Sequence, residues 1–195
     1  MASRLNIQNT TPDSINPEDD FIVMAEIASG NTQAFRDALD RYTTPVFHFA
    51  LSLLKDKQIA EDVTQEACLA LWKFAPDWQP SGKIKSWLFR VAHNLSIDEI
   101  RKRRPHIDID NVIDSLSEEQ SATGFEALHN NDVSRLVREA IAELPVRQRA
   151  ALMLVHYDDY SNIEGADIMG VSVDAFESLL ARGRSSMKNR LKKHK

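Results

Sequence analysis

At 195 residues, with a formal net charge of −5, six glycines, seven prolines and one cysteine, the chain has room for one ordinary domain or two small ones. Sparse glycine and proline favour helices over a sandwich or barrel, and a lone Cys68 excludes an internal disulfide or a cysteine-based zinc cluster built from this chain. The expected class is all-α, two small helical domains in a reducing compartment.

Residues 1–20, MASRLNIQNTTPDSINPEDD, are polar, contain Pro12 and Pro17 and show no sustained periodicity, so they are expected to form a flexible arm. They lack the apolar core of a secretory signal, and the longest apolar runs, such as Ala150 to Val155, are too short to span a bilayer. A cytoplasmic protein without membrane insertion is expected. Helical signals begin near Phe21. Asn31 or Thr32 can cap a helix running toward Tyr42, and Pro45 stands before a further apolar segment, Val46 to Leu54.

The next helix should run from after Asp56 to about Phe74. Ile59, Val63, Ala67, Ala70, Leu71 and Phe74 share one side at helical spacing, and Asp62, Gln65 and Glu66 occupy the other. Pro76, Pro80 and Gly82 break the chain into the loop APDWQPSGK before a helix from Ile84 to about Arg104. Ile84, Leu88, Val91 and Leu95 fall on one face of it, and Arg90, Asn94 and Arg101 on another. Pro105 ends this first unit, 21–105, and the acidic stretch 106–131 reads as a flexible linker. A second unit, 132–195, should hold helices at about 133–143, 146–157, 162–169 and 173–191, with Ser161 and Glu164 at capping-box spacing.

Charge is distributed in blocks. Lys83, Lys85, Arg90 and the run 101–104 form one basic block, 182–195 another, and an acidic stretch lies between them. Such blocks suit two anion-binding patches or, equally, solvated helix faces. The segment SNIEGADIMGVSVDAFESLLARGR has the layout of a helix-turn-helix, with its turn at Gly170 and its second helix started by Ser172. Val173, Phe176 and Leu180 should bury, while Asp174, Ala175, Ser178 and Arg182 project outward. A helical hairpin of this kind also serves plain packing.

The order of segments carries a resemblance. IAEDVTQEACLALWKF resembles region 2.2 of the extracytoplasmic-function (ECF, group 4) sigma factors of the sigma-70 family, SWLFRVAHNLSIDEIRKRRP resembles regions 2.3 and 2.4, and LPVRQRAALMLVHYDDYSNIEGADIMGVSVDAFESLLARGR resembles region 4. The resemblance implies a non-enzymatic RNA polymerase sigma factor without cofactor or metal. Its partners would be the core polymerase (beta-prime and beta subunits), promoter DNA and an anti-sigma factor.

It implies further that Asp62, Gln65 and Glu66 bind core polymerase and that Trp78, Lys83, Arg90, Asn94 and Arg101 bind the minus-10 element. Ser172, Asp174, Ala175, Ser178 and Arg182 would bind the minus-35 element. The sequence departs from the family at Glu177 and Leu179, where basic residues are frequent, which leaves the minus-35 sequence open. The alternative is a free-standing helix-turn-helix repressor, but the chain offers no heptad seam for dimerisation. An enzyme acting on nucleic acid would need a carboxylate metal cluster or a nucleophile with its base, and neither is found.

Overall fold

The computed structural model describes residues 17–79, 82–103 and 132–193. Among them lie eight α-helices and a short 3-10 turn, and no strand: α1 (Pro17–Ala28), α2 (Thr32–Leu54), α3 (Lys57–Phe74), the 3-10 turn (Ala75–Asp77), α4 (Ile84–Arg103), α5 (Asp132–Ala142), α6 (Val146–His156), α7 (Asn162–Met169) and α8 (Val173–Lys193). The expected all-α class is observed. The acidic stretch read as a linker lies outside the described residues, as do residues 1–16.

Local chemistry sets most of the helix boundaries. Asn31 Oδ1 accepts from the amides of Gln33 (3.0 Å) and Ala34 (3.2 Å) and starts α2, and Lys55 in the left-handed region (φ 56°) closes it. Asp56 Oδ1 accepts from the amide of Ile59 at 3.2 Å and starts α3. Its second oxygen meets Arg103 at 3.4 Å, tying the start of α3 to the end of α4. Ser161 and Glu164 form the expected capping box on α7, and Gly170 (φ 63°) ends that helix in the left-handed region.

Two expectations are corrected. Pro45 does not divide α2, which runs unbroken through it. An internal proline removes one backbone hydrogen bond and costs about 3 kcal/mol. Here Tyr42, Val46 and Phe49 are buried on either side of it, and large apolar side chains return roughly 1.5–3 kcal/mol each on burial. Second, α1 begins at Pro17, inside the segment expected to be an arm. Asp20 is 4% exposed, and its Oδ2 accepts from the amide of Ile84 at 2.9 Å. A side chain from α1 thus caps α4, and burial raises the Asp20 pKa above its ordinary value.

α1 to α4 enclose a core in which Met24, Val46, Phe49, Leu71, Leu88 and Phe89 are buried. The rings of Phe49 and Phe89 meet with centroids 5.1 Å apart. Leu144, Val146, Leu154, Ile168, Phe176 and Leu180 form the interior of α5 to α8. The two units pack on each other through α4 against α7 and α2 against α6.

Candidate polymerase and nucleic-acid interfaces

Three surfaces hold the residues singled out in the sequence. On α3, Asp62, Gln65 and Glu66 are all exposed, opposite the buried row of Ala60, Val63, Ala67 and Leu71. Gln58 Nε2 donates to Asp62 Oδ1 at 3.4 Å, a contact between successive turns. The sequence reading missed the continuation of this face: Leu69 is 58% exposed and Trp72 37%. Their spacing from Gln65 and Glu66 is the signal that could have found them, because the same helical row runs through them. The face is therefore acidic at one end and apolar at the other, with the Trp72 ring steadied edge-on by Phe35 at 4.9 Å.

The second surface is α4 with the residue preceding it. Asn94 and Arg101 are exposed. The ring Nδ1 of His93 contacts Asn94 Oδ1 at 3.3 Å, and Arg101 pairs with Asp98 at 3.4 Å. Lys83 and Arg90 are turned toward the second unit: Lys83 Nζ lies 2.8 Å from Glu164 Oε1, and Arg90 pairs with Asp167. The Lys83 contact holds the Glu164 carboxyl below its ordinary pKa, helped by the capping hydrogen bonds from Ser161.

Trp78 is corrected. It is 7% exposed and its ring stands edge-on to Phe74 and Trp87, each at a centroid distance of 6.2 Å. Phe74 and Trp87 themselves stack at 5.2 Å with their planes 14° apart. Large rings gain by packing together, so the buried Trp78 and the partly buried Phe74 and Trp87 close this edge of the core. Trp87 packs, as its place beside Leu88 suggests.

The third surface is α8. Asp174, Ala175, Ser178 and Arg182 are exposed on its leading half. Ser172 Oγ accepts from the amide of Ala175 at 3.2 Å and so caps the helix. Arg182 Nε donates to Ser178 O at 3.2 Å, which aligns its guanidinium along the helix. Phe176 and Leu180 are buried as expected, but Val173 is 36% exposed, because the apolar stripe of α8 is covered only from Phe176 onward. Asn162 Nδ2 donates to Glu177 Oε1 at 3.0 Å and links α7 to α8. Among the described residues no group of three or more His, Cys, Asp or Glu side chains is placed to hold a metal ion. No helix there is long and apolar enough to cross a membrane.

An acidic-apolar face on one helix, a basic face on the next and a helix-turn-helix in a second unit together define a factor able to join a protein partner to DNA. Comparison with known proteins gives that class a family. Residues 38–106 match Sigma-70 region 2, and residues 134–187 match Sigma-70, region 4. The ECF RNA polymerase sigma factor SigM of Bacillus subtilis is 35% identical over 148 residues, covering 75% of this chain and 88% of that protein. SigW of the same organism is 26% identical over 175 residues, covering 86% and 94%. The solved structure of CnrH in complex with the cytosolic domain of CnrY shares the fold, with a TM-score of 0.66 at 24% identity, over 90% of this chain and 99% of that one. The chain belongs to the sigma-70 family, in its extracytoplasmic-function branch, and is a promoter-directing factor for transcription initiation.

Proposed function

We propose that this sigma factor works by position alone, making and breaking no bond, in the cytoplasm where core polymerase and promoter meet. Its first unit runs from α1 to about residue 105, the acidic stretch 106–131 links the two, and the second unit occupies 132–195. Asp62, Gln65 and Glu66 dock on the beta-prime subunit, with Leu69 and Trp72 extending the contact: carboxylates one turn apart suit basic groups on a partner helix, and exposed apolar groups beside them favour a protein partner over solvent. Lys83, Arg90, Asn94 and Arg101 serve the minus-10 element, where a displaced strand needs cations for its backbone and an amide for an unstacked base. Trp78 acts by holding the loop and not by touching DNA.

Ser172, Asp174, Ala175, Ser178 and Arg182 serve the minus-35 duplex. Ser172 sets the start of α8, the short side chains allow close approach to base edges, and Arg182 neutralises phosphate. An anti-sigma protein holds the factor in reserve, a reading supported by the CnrH relative having been solved with CnrY. The carrying observation is the single exposed row on α3 that joins Asp62, Gln65 and Glu66 to Leu69 and Trp72. A free-standing repressor would have no use for this row or for the region 2 unit around it.

Promoter-dependent run-off transcription with purified core enzyme tests the reading. The wild-type chain should support it, and the double variant Asp62→Lys, Glu66→Lys should lose both transcription and core pull-down while keeping its helical circular dichroism. Full core affinity in the folded variant would remove α3 from the interface.

A further inference from the structure

The buried face of α1 carries a carboxylate. Asp20, Met24 and Ile27 follow one another at helical spacing and are all buried. Met24 and Ile27 fill the core of the first unit. Asp20 does what an apolar residue could not: its Oδ2 accepts from the amide of Ile84 at 2.9 Å. Burial raises its pKa against the opposing effects of that hydrogen bond and of the Arg41 and Lys83 cations. A buried carboxylate is costly, and an apolar side chain would dock α1 without the cost. What the carboxylate adds is a fixed link between α1 and the first turn of α4, where backbone amides have no partner within the helix.

Ile84 is the first residue of α4, and its side chain is buried. The loop that leads into it is held by α1 at both ends. One end, the 3-10 turn Ala75–Asp77, packs against α1, and the other is the capped amide. Between them Trp78 is buried, the amide of Gly82 donates to the carbonyl of Gln79 at 3.1 Å, and a Cβ built on Gly82 would stand 3.0 Å from the Trp78 ring. Lys83 immediately precedes the capped amide, and Asn94 is ten residues beyond it, about 15 Å along a helix axis. A helix anchored at its first turn is aimed by that anchor, and a binding constellation must be held to about 0.5 Å. α1 lies ahead of residues 38–106, the stretch that matches region 2.

We propose that Asp20 is a positioning residue for minus-10 reading: by holding the Ile84 amide it fixes where α4 starts, and so where Lys83 and Asn94 stand toward the displaced strand. α1 thereby contributes to promoter choice without touching DNA. This rests on α4 being the minus-10 reader.

The test uses holoenzyme assembled from core polymerase and the full chain. Promoter DNA randomised in its minus-10 and minus-35 elements is bound, recovered and sequenced, and core affinity is measured beside it. Wild-type holoenzyme should enrich preferred bases in both elements by about fivefold or more per position, the usual weight of one mismatched base. Asp20→Ala should bring the minus-10 enrichment close to unity while leaving minus-35 enrichment and core affinity unchanged. Asp20→Asn, which keeps an acceptor oxygen, should retain most of the minus-10 preference. Asp19→Asn removes a charge from the exposed neighbouring position and should change nothing. If Asp20→Ala does not fold well enough to bind core, Asp20→Glu takes its place: the added methylene displaces the acceptor without removing it, and minus-10 preference should again fall alone.

Undiminished minus-10 enrichment in Asp20→Ala overturns the proposal. So does an equal loss at both elements, which would make Asp20 a support of the fold alone, and so does a loss as deep in Asp20→Asn as in Asp20→Ala, since the hydrogen bond would then not be the device. Failure of the minus-10 reading itself looks different: Asn94→Ala and Arg101→Ala, each in the otherwise wild-type chain, would both leave minus-10 enrichment untouched, and the positioning role falls with it.

Discussion

His93 lies in the middle of α4 with 6% of its surface exposed, and burial holds its pKa below the ordinary value; the Asn94 contact opposes this, and the nearby Arg147 cation lowers it a little further. The folded chain therefore keeps this ring neutral where the unfolded chain binds a proton. Because the folded pKa is depressed, the stability at stake is present above about pH 6.5 and drains away as pH falls below it. His48, also lowered by burial, adds to the same slope. Urea midpoints measured at neutral and mildly acidic pH should fall with acid, and His93→Gln should flatten that fall; an unchanged slope would show that His93 is not held neutral. Its neighbour Asn94 is exposed, and its removal addresses function instead: Asn94→Ala should impair open-complex formation selectively across a panel of minus-10 variants, with core binding intact. Equal losses on every variant would argue against base reading.

At the scale of elements, the helix-turn-helix depends on how closely α7 and α8 approach. A Cβ built on Gly165 would run into the ring of Phe176, which is fully buried. Gly165→Ala should gain up to about 1 kcal/mol in helix propensity but lose about 1–3 kcal/mol to overpacking, a net fall in stability that thermal unfolding would register. Phe176→Leu in the same chain should recover part of it.

The short α7 was legible in the sequence because its capping box and its terminal Gly170 are local signals, and α3 and α4 were legible because their apolar rows have helical period. The unbroken α2 was not, since a local rule about Pro45 is overridden by burial that only the tertiary fold supplies. Asp20 was missed for a related reason: its partner is the amide of Ile84, sixty-four positions along the chain, and no local pattern marks a cap supplied from another helix. The burial of Trp78 was not legible, because only the tertiary fold places the rings of Phe74 and Trp87 beside it. Leu69 and Trp72 were readable in principle, but the row was followed only through its charged members.

For the molecule as a whole, the contact between the units decides whether the chain behaves as one body or two. The packing of α2 on α6 and of α4 on α7 gives the second unit a stake in the stability of the first, while ion pairs such as Lys83 with Glu164 make that stake sensitive to salt. All three tryptophans, Trp72, Trp78 and Trp87, lie in the first unit, and the second has none. Indole emission is thus a private channel for the first unit, whereas far-ultraviolet circular dichroism sums the helices of both. At low salt the two denaturation curves should superimpose, as expected for units that melt together. With added salt they should separate, and curves that never coincide at any ionic strength would show the units to be energetically independent. A ring cluster assembled to seal a core consequently doubles as an optical gauge of the coupling between the two units.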